Sequence, residues 1–327
     1  MAGLGKVVAL GGGTGLPALL AAIRPSNGTG VAPIRDVTAV VTVSDSGGSS
    51  GRLRRDLGTL APGDIRNCLV ALSDAPETLR KLFQYRFSQG ELEGHSLGNL
   101  LIVALAQVTG DFASAVSQMH DILAIRGKIY PSTLENVELV ADYEDGSRKR
   151  GEAAITKAGK AIRGVALDPP GCRALPEACA ALEDADLILF GPGSLYTSVL
   201  PNLLVGDIAK AIRASRARKV YICNLVTQPG ETSGYSAGRH VRAIVDHCGT
   251  GLCDTILCNS APLPDRVREA YTRVGSAPVE LDAESIRDLG VSVVAEDLLA
   301  EGPYARHDPA KLKGSLERLL RTAMETP

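Results

Sequence analysis

One pattern limits this chain's fold more than any other: short, mostly apolar runs that end in loops of glycine and small polar residues. Residues 6–10 form the first run; the turn Gly11-Gly12-Gly13-Thr14-Gly15 follows, then a helical pattern over 16–23 with Pro17 in its first turn. A run that is apolar at nearly every position, without polar alternation, suits a strand buried on both faces, as in a parallel sheet. The pattern returns at 37–43, which ends in a small-residue loop over 44–51, and again at 186–190, 219–223 and 255–258. Helical patterns over 199–215, 237–247 and 309–323 alternate with the later runs, and Asp308 is positioned to cap the last. The expected fold class is α/β with a mainly parallel sheet.

Between the second and third runs the spacing predicts helices over 64–72, with Asp64 as cap, over 77–87, and over 97–108, with Ser96 as cap. Leu97, Leu100, Leu101, Ile102 and Leu105 surround most of the last one, as in a helix packed inside a large core. The middle of the chain changes character. Residues 137–143, the turn Glu144-Asp145-Gly146 and residues 148–155 read as a hairpin, so a small hairpin-containing insertion is expected, with a subdomain at about 128–165 inside a single domain of 1–327. A polar loop with Ser26, Asn27, Gly28 and Gly30 occupies 25–33.

Composition excludes several function classes. Lys and Arg (35) nearly balance Asp and Glu (37), so no net field draws the chain to nucleic acid or an anionic membrane. With 4% aromatic residues and no Trp, there are few rings on which bases could stack. No apolar run approaches the roughly 20 residues of a membrane span, so no membrane insertion is expected. Seven cysteines without a Cys-x-x-Cys pair point to reduced thiols and a cytoplasmic protein. His247, Cys248, Cys253 and Cys258 have a spacing that could attract a soft metal, but Cys258 lies in an apolar run and reads as a small hydrophobe, and no metal ligand is assigned. His95-Ser96 has no acidic orienter, and no catalytic residue is assigned.

The candidate binding residues lie at the ends of the apolar runs. Gly13-Thr14-Gly15-Leu16-Pro17-Ala18 satisfies G-x-G-x-x-A, where backbone N–H groups and a helix N-terminus can receive a phosphate; taken alone, an ordinary glycine turn explains it equally well. The second loop adds Asp45, Ser49, Ser50, Arg52 and Arg54, which supply hydroxyls, guanidinium groups and a carboxylate able to hold a ribose hydroxyl or Mg²⁺ on a diphosphate. Gly193, Ser194 and Thr197 follow the third run, Asn224 and Thr227 the fourth, and Asn259-Ser260 the fifth. In an open parallel sheet these ends share one edge, where ligands bind. By its chemistry alone Arg306 reads as a surface cation.

Taken together, Gly11-Gly12-Gly13-Thr14-Gly15-Leu16, the stretch from Asp45 to Arg54, Pro62-Gly63-Asp64-Ile65-Arg66-Asn67, His95-Ser96-Leu97-Gly98-Asn99, the stretch from Gly191 to Ser198 and the stretch from Thr227 to Thr232 resemble the YvcK-like gluconeogenesis factor family. This is a branch of the superfamily that includes 2-phospho-L-lactate transferase (CofD-like). The resemblance implies a Rossmann-like three-layer fold, a bacterial cytoplasmic protein, and a role in cell shape and wall-precursor supply during gluconeogenic growth. It also implies binding of a UDP-sugar, with Tyr271 and Arg306 at positions linked to that nucleotide sugar. On this reading Gly12, Gly13, Thr14, Gly15 and the serine loop hold the diphosphate, and Asp45 and Asn67 hold hydroxyls or orient the loops. The expected partners are the nucleotide sugar and a cell-wall synthesis protein, with the chain in a homo-oligomer and no cofactor assigned. Two alternatives stand beside it. One is a Mg-dependent phosphotransferase working around Asp45, Arg52 and Asp64, although Asp45 is followed by Ser46 where the transferase branch typically pairs two Asp residues. The other is a nicotinamide-dependent oxidoreductase, which rests on the glycine loop alone.

Overall fold

The computed structural model describes residues 5–25 and 34–325. The polar-loop residues Ser26, Asn27, Gly28 and Gly30 lie outside them. Among the described residues seven strands form the main sheet: β1 Gly5–Gly11, β2 Ile34–Val41, β3 Lys128–Pro131, then β7 Leu187–Phe190, β8 Arg218–Ile222, β9 Thr255–Asn259 and β10 Ser292–Glu296. Their order is β10-β9-β8-β7-β1-β2-β3, and every neighbouring pair is parallel. The α/β class follows from burial on both faces: β7 is buried throughout and β1 nearly so. Helices flank the sheet; Gly15–Ile23, for example, packs against Gly63–Leu72 and Pro309–Glu325.

The chain leaves β1 for β2 and β3, then crosses back to place β7 on the other side of β1. The order in which strands are added therefore reverses between β1 and β7, and the loops leaving those two parallel strands flank the crevice at which α/β sheets bind ligands.

Between β3 and β7 the chain builds a three-stranded antiparallel sheet of order β5-β4-β6, from β4 Glu138–Tyr143, β5 Arg148–Arg150 and β6 Ile162–Asp168. The expected strand over 148–155 stops at Arg150, because Gly151 turns the chain at φ +90° and Glu152–Ala158 is helical. Leu139, Ala141, Tyr143 and Ile155 are buried in the same apolar cluster as β1 and β7.

Four further expectations are corrected. Asp64 is not a cap, since it lies inside the first turn of Gly63–Leu72, behind Pro62. Ser96 occupies the cap position of Leu97–Thr109, but its hydroxyl donates to the Phe83 carbonyl (3.2 Å) and caps nothing. That helix is not enclosed: Leu101 is 39% and Val108 83% exposed. The helix over 199–215 is three pieces, a π-turn at Leu195–Val199 and helices Leu200–Leu203 and Gly206–Ala214.

Candidate functional site

The turn after β1 is shaped by what a side chain would strike. A Cβ at Gly12 would lie 2.7 Å from the Asp64 carboxylate and 2.6 Å from the Thr42 methyl group, and one at Gly15 would lie 2.0 Å from the Pro192 carbonyl oxygen. Gly13 takes φ +61°, in the left-handed region that glycine favours. The loops leaving β1 and β7 thus touch backbone to backbone at the switch point. Thr14 is exposed and its hydroxyl makes no cap.

The 44–51 stretch, expected as a loop, becomes helix Gly48–Leu57, so Ser49, Ser50 and Arg52 stand on its first turns. Asp45 remains before it, its carboxylate accepting the Gly47 N–H at 2.8 Å. The Ser49 hydroxyl lies 3.1 Å from His95 Nδ1, so His95 meets Ser49 and not its neighbour Ser96. Ser50 is buried beside Gly63, where a Cβ would meet its Oγ at 2.4 Å and Asp45 Oδ2 at 3.1 Å. The two arginines part ways. Arg52 donates to the Glu93 carbonyl (2.6 Å), while the buried Arg54 turns inward to the carbonyls of Val43 and Val137 and to Asn136.

Gly63–Leu72 brings Asp64 against the glycine turn. Burial lifts its carboxyl to about 6; the Gly13 N–H it accepts pulls the other way, Asp45 adds repulsion, and Arg66 offsets part of it. Arg66, itself buried, reaches Asn67 (2.7 Å) and Asn99 (3.1 Å), and Gly98 makes room for its stem.

On the β7 side, Asn224 clasps Gly193 with both ends of its amide, accepting the Gly193 N–H (3.2 Å) and donating to its carbonyl (2.9 Å). Ser194 donates to Glu231 and accepts both the N–H (3.1 Å) and the hydroxyl (2.7 Å) of Thr197. Burial raises the Glu231 carboxyl above its ordinary value. Thr227 is fully engaged with Ala277 through its N–H (2.8 Å) and its Oγ1 (3.0 Å).

A recess of about 450 Å³ opens at the carboxyl ends of β8 and β9, lined by Cys223, Asn224, Asn259, Ser260, Arg268 and Val279 among others. Tyr271 stands half-buried on the Asp265–Arg273 helix, one turn beyond Arg268, and Arg306 is exposed with its guanidinium 5.2 Å from the Tyr304 ring centroid. The structure thus brings the glycine turn, Asp45, Ser50, Asp64, Gly193, Ser194 and Asn224 to the switch point, while Tyr271 and Arg306 lie on elements at the β8–β10 side. A larger recess of about 570 Å³, lined by Lys6, Arg35, Asp36, Arg126, Lys128 and others, opens at the opposite edge, away from every strand-end loop.

Sequence reasoning missed Glu152. It comes from the insertion, yet burial raises its carboxyl to about 7, reinforced by Asp45, Asp64 and Glu231. Nothing near it in sequence signals this, because its neighbours in the site are contributed by three distant segments. Among the described residues, no three His, Cys, Asp or Glu side chains converge to hold a metal ion.

Comparison with known proteins bears on the family and the fold. The family model for 2-phospho-L-lactate transferase CofD matches residues 7–299. The gluconeogenesis factor of Halalkalibacterium halodurans is 46% identical over 95% of each chain, and that of Bacillus subtilis is 45% identical over 97% of this chain and 98% of its own. A crystal structure of a UPF0052-family protein from Bacillus halodurans superposes with a TM-score of 0.90 at 46% identity, over 95% of this chain and 98% of that one.

Proposed function

Because this chain belongs to the 2-phospho-L-lactate transferase CofD family and, within it, groups with the gluconeogenesis factors, we propose that it is a regulatory gluconeogenesis factor that binds a UDP-sugar at the carboxyl edge of its sheet. In this reading it acts in the cytoplasm as a homo-oligomer, reports nucleotide-sugar level to a cell-wall synthesis protein, and supports cell shape and wall-precursor supply during gluconeogenic growth. The observation that carries the reading is Asn224. It clasps Gly193 at the switch point and also lines the β8–β9 recess, so one ligand lying along the edge would meet both. The recess falls within the roughly 300–1,000 Å³ range of small-molecule sites. The diphosphate is assigned to the loops around Gly12–Gly15 and Gly193, and the uridine or sugar end to the side of Arg268, Tyr271 and Arg306.

The second reading, a Mg²⁺-dependent phosphotransferase, draws on Asp45 and Asp64 beside the glycine turn. Both carboxylates already accept backbone N–H groups, and no protein-only metal cage stands among the described residues. A Mg²⁺ here would have to enter with the phosphates it bridges.

Calorimetric titration with UDP-N-acetylglucosamine, UDP-glucose, GDP and NAD, each with and without Mg²⁺, separates these readings. Saturable UDP-sugar binding that is lost in Tyr271→Ala or Arg306→Ala, without product, is the expected result. Mg²⁺-dependent GDP binding with no response to UDP-sugars would move the transferase into first place.

A further inference from the structure

The short helix Glu152–Ala158 lies between two of the strand-end loops and is tied to both. At its first turn the Ala153 N–H donates to Ser46 Oγ (3.1 Å), and a Cβ at Gly47 would stand 3.6 Å from Ala153 Cβ and 3.9 Å from Glu152 Oε2. At its far end Gly159 meets Gly230 backbone to backbone: a Cβ on Gly230 would lie 2.5 Å from Gly159 Cα, and Gly230 takes φ +80°. Between these ends the helix is held from the insertion side by buried Ile155, whose carbonyl accepts the Tyr143 hydroxyl at 3.3 Å. The segment therefore spans from the loop after β2, which carries Asp45, to the loop after β8, which carries Glu231.

We propose that Glu152–Ala158 is a strap over the strand-end crevice, latched at Ser46 and Gly230, and that Glu152 is its proton-operated release.

The charged groups that act on Glu152 are carboxylates on other elements: Asp45 from the loop after β2, whose Oδ1 would lie 3.3 Å from the same Gly47 Cβ that Glu152 Oε2 approaches, and with it Asp64 from Gly63–Leu72 and Glu231 from the loop after β8. From its own helix only the Thr156 hydroxyl donates to it, at 3.4 Å. The two buried arginines are bonded elsewhere, Arg54 to the carbonyls of Val43 and Val137 and Arg66 to Asn67 and Asn99. A neutral Glu152 sits in this cluster without charge repulsion. Once ionised, at a pH above about 7, it carries a charge that its burial disfavours and that Asp45, Asp64 and Glu231 repel, and at the adjoining residue the helix is tied to the loop after β2 by the Ala153–Ser46 hydrogen bond. The latch does not depend on ligand identity; that the strap covers a UDP-sugar rests on the function proposed above.

Hydrogen exchange of the whole protein, read by mass spectrometry at about pH 6 and about pH 8 and divided by the intrinsic rate at each pH, tests the latch. Exchange in 152–158 is expected to be about tenfold faster at the higher pH, the equivalent of roughly 1.4 kcal/mol. Glu152→Gln should exchange slowly at both. Ser46→Ala, which removes the acceptor, should exchange fast at both while Leu97–Thr109 is unchanged. A wild type without pH dependence, a Glu152→Gln variant that keeps it, or a Ser46→Ala variant indistinguishable from wild type would each overturn the latch. Saturating UDP-N-acetylglucosamine in the same samples separates cover from ligand. Calorimetric binding that leaves exchange in 152–158 unslowed removes the strap's covering role and spares the nucleotide-sugar reading. Absence of binding beside intact pH-gated exchange sinks that reading and keeps the latch.

Discussion

Gly15 shows how little freedom the site leaves a single residue. Its α-carbon faces the Pro192 carbonyl so closely that a methyl group would sit 2.0 Å from the oxygen, and both partners are backbone. Gly15→Ala must therefore push the β1 and β7 loops apart, and a loss of more than about 2 kcal/mol is expected in urea unfolding. Gly48, whose Cβ would meet nothing within 4 Å, is the contrasting position, where only its φ of +46° opposes alanine. The carboxyls make a second prediction at this scale. Asp64 moves from 3.8 to about 6 and Glu152 from 4.5 to about 7, so between the two sets of values the folded chain holds more protons than the unfolded one. Stability must then fall as pH rises through that window, with the loss complete by about pH 8. Asp64→Asn and Glu152→Gln should each flatten the fall, by roughly 2 kcal/mol in unfolding free energies measured at pH 5 and 8.

Elements differ in how plainly the sequence announces them. The strand ends were legible because an apolar run buried on both faces leaves its polar residues nowhere but the termini, and Gly13, Asp45, Gly193 and Asn224 do gather at one edge. Helix Gly48–Leu57 was not legible: Gly-Ser-Ser-Gly reads as a loop, and the helix exists because tertiary contacts override that preference. Leu53 is buried, Gly51 packs on the Ser46 carbonyl, Gly58 closes the end in a left-handed conformation, and Arg54 donates to the carbonyls of Val43 and Val137. The exposed face of Leu97–Thr109 misled in the opposite direction, since apolar residues around a helix do not reveal which of them find a neighbour. Arg54 carries the element-scale prediction. Arg54→Leu keeps an apolar stem but strands the carbonyls of Val43 and Val137, and should cost about 2–4 kcal/mol by thermal or urea unfolding, whereas Arg52→Leu, which gives up only one bond to an exposed loop, should cost less than about 1.

For the whole molecule, the decisive fact is that the crevice belongs to neither half of the sheet. β1, β2 and the Asp45 and Asp64 elements build one wall; β7, β8 and the Gly193, Asn224 and Glu231 loops build the other; and the insertion ties the two through Ser46 and Gly230. Leu139, Ala141 and Ile155 share one buried cluster with both halves, so the insertion has no core of its own to retain when the sheet opens. Urea unfolding followed by far-UV circular dichroism and by tyrosine fluorescence, which is readable because the chain has no Trp, should therefore give coincident transitions. A ligand lying across both walls stabilises that single unit by mass action, about 2.7 kcal/mol at a hundred times its dissociation constant. The expected outcome is that UDP-N-acetylglucosamine moves both transitions together. A shift confined to one probe would mean that the ligand rests on one wall alone, and the assignment of its diphosphate to the switch point would fall with it.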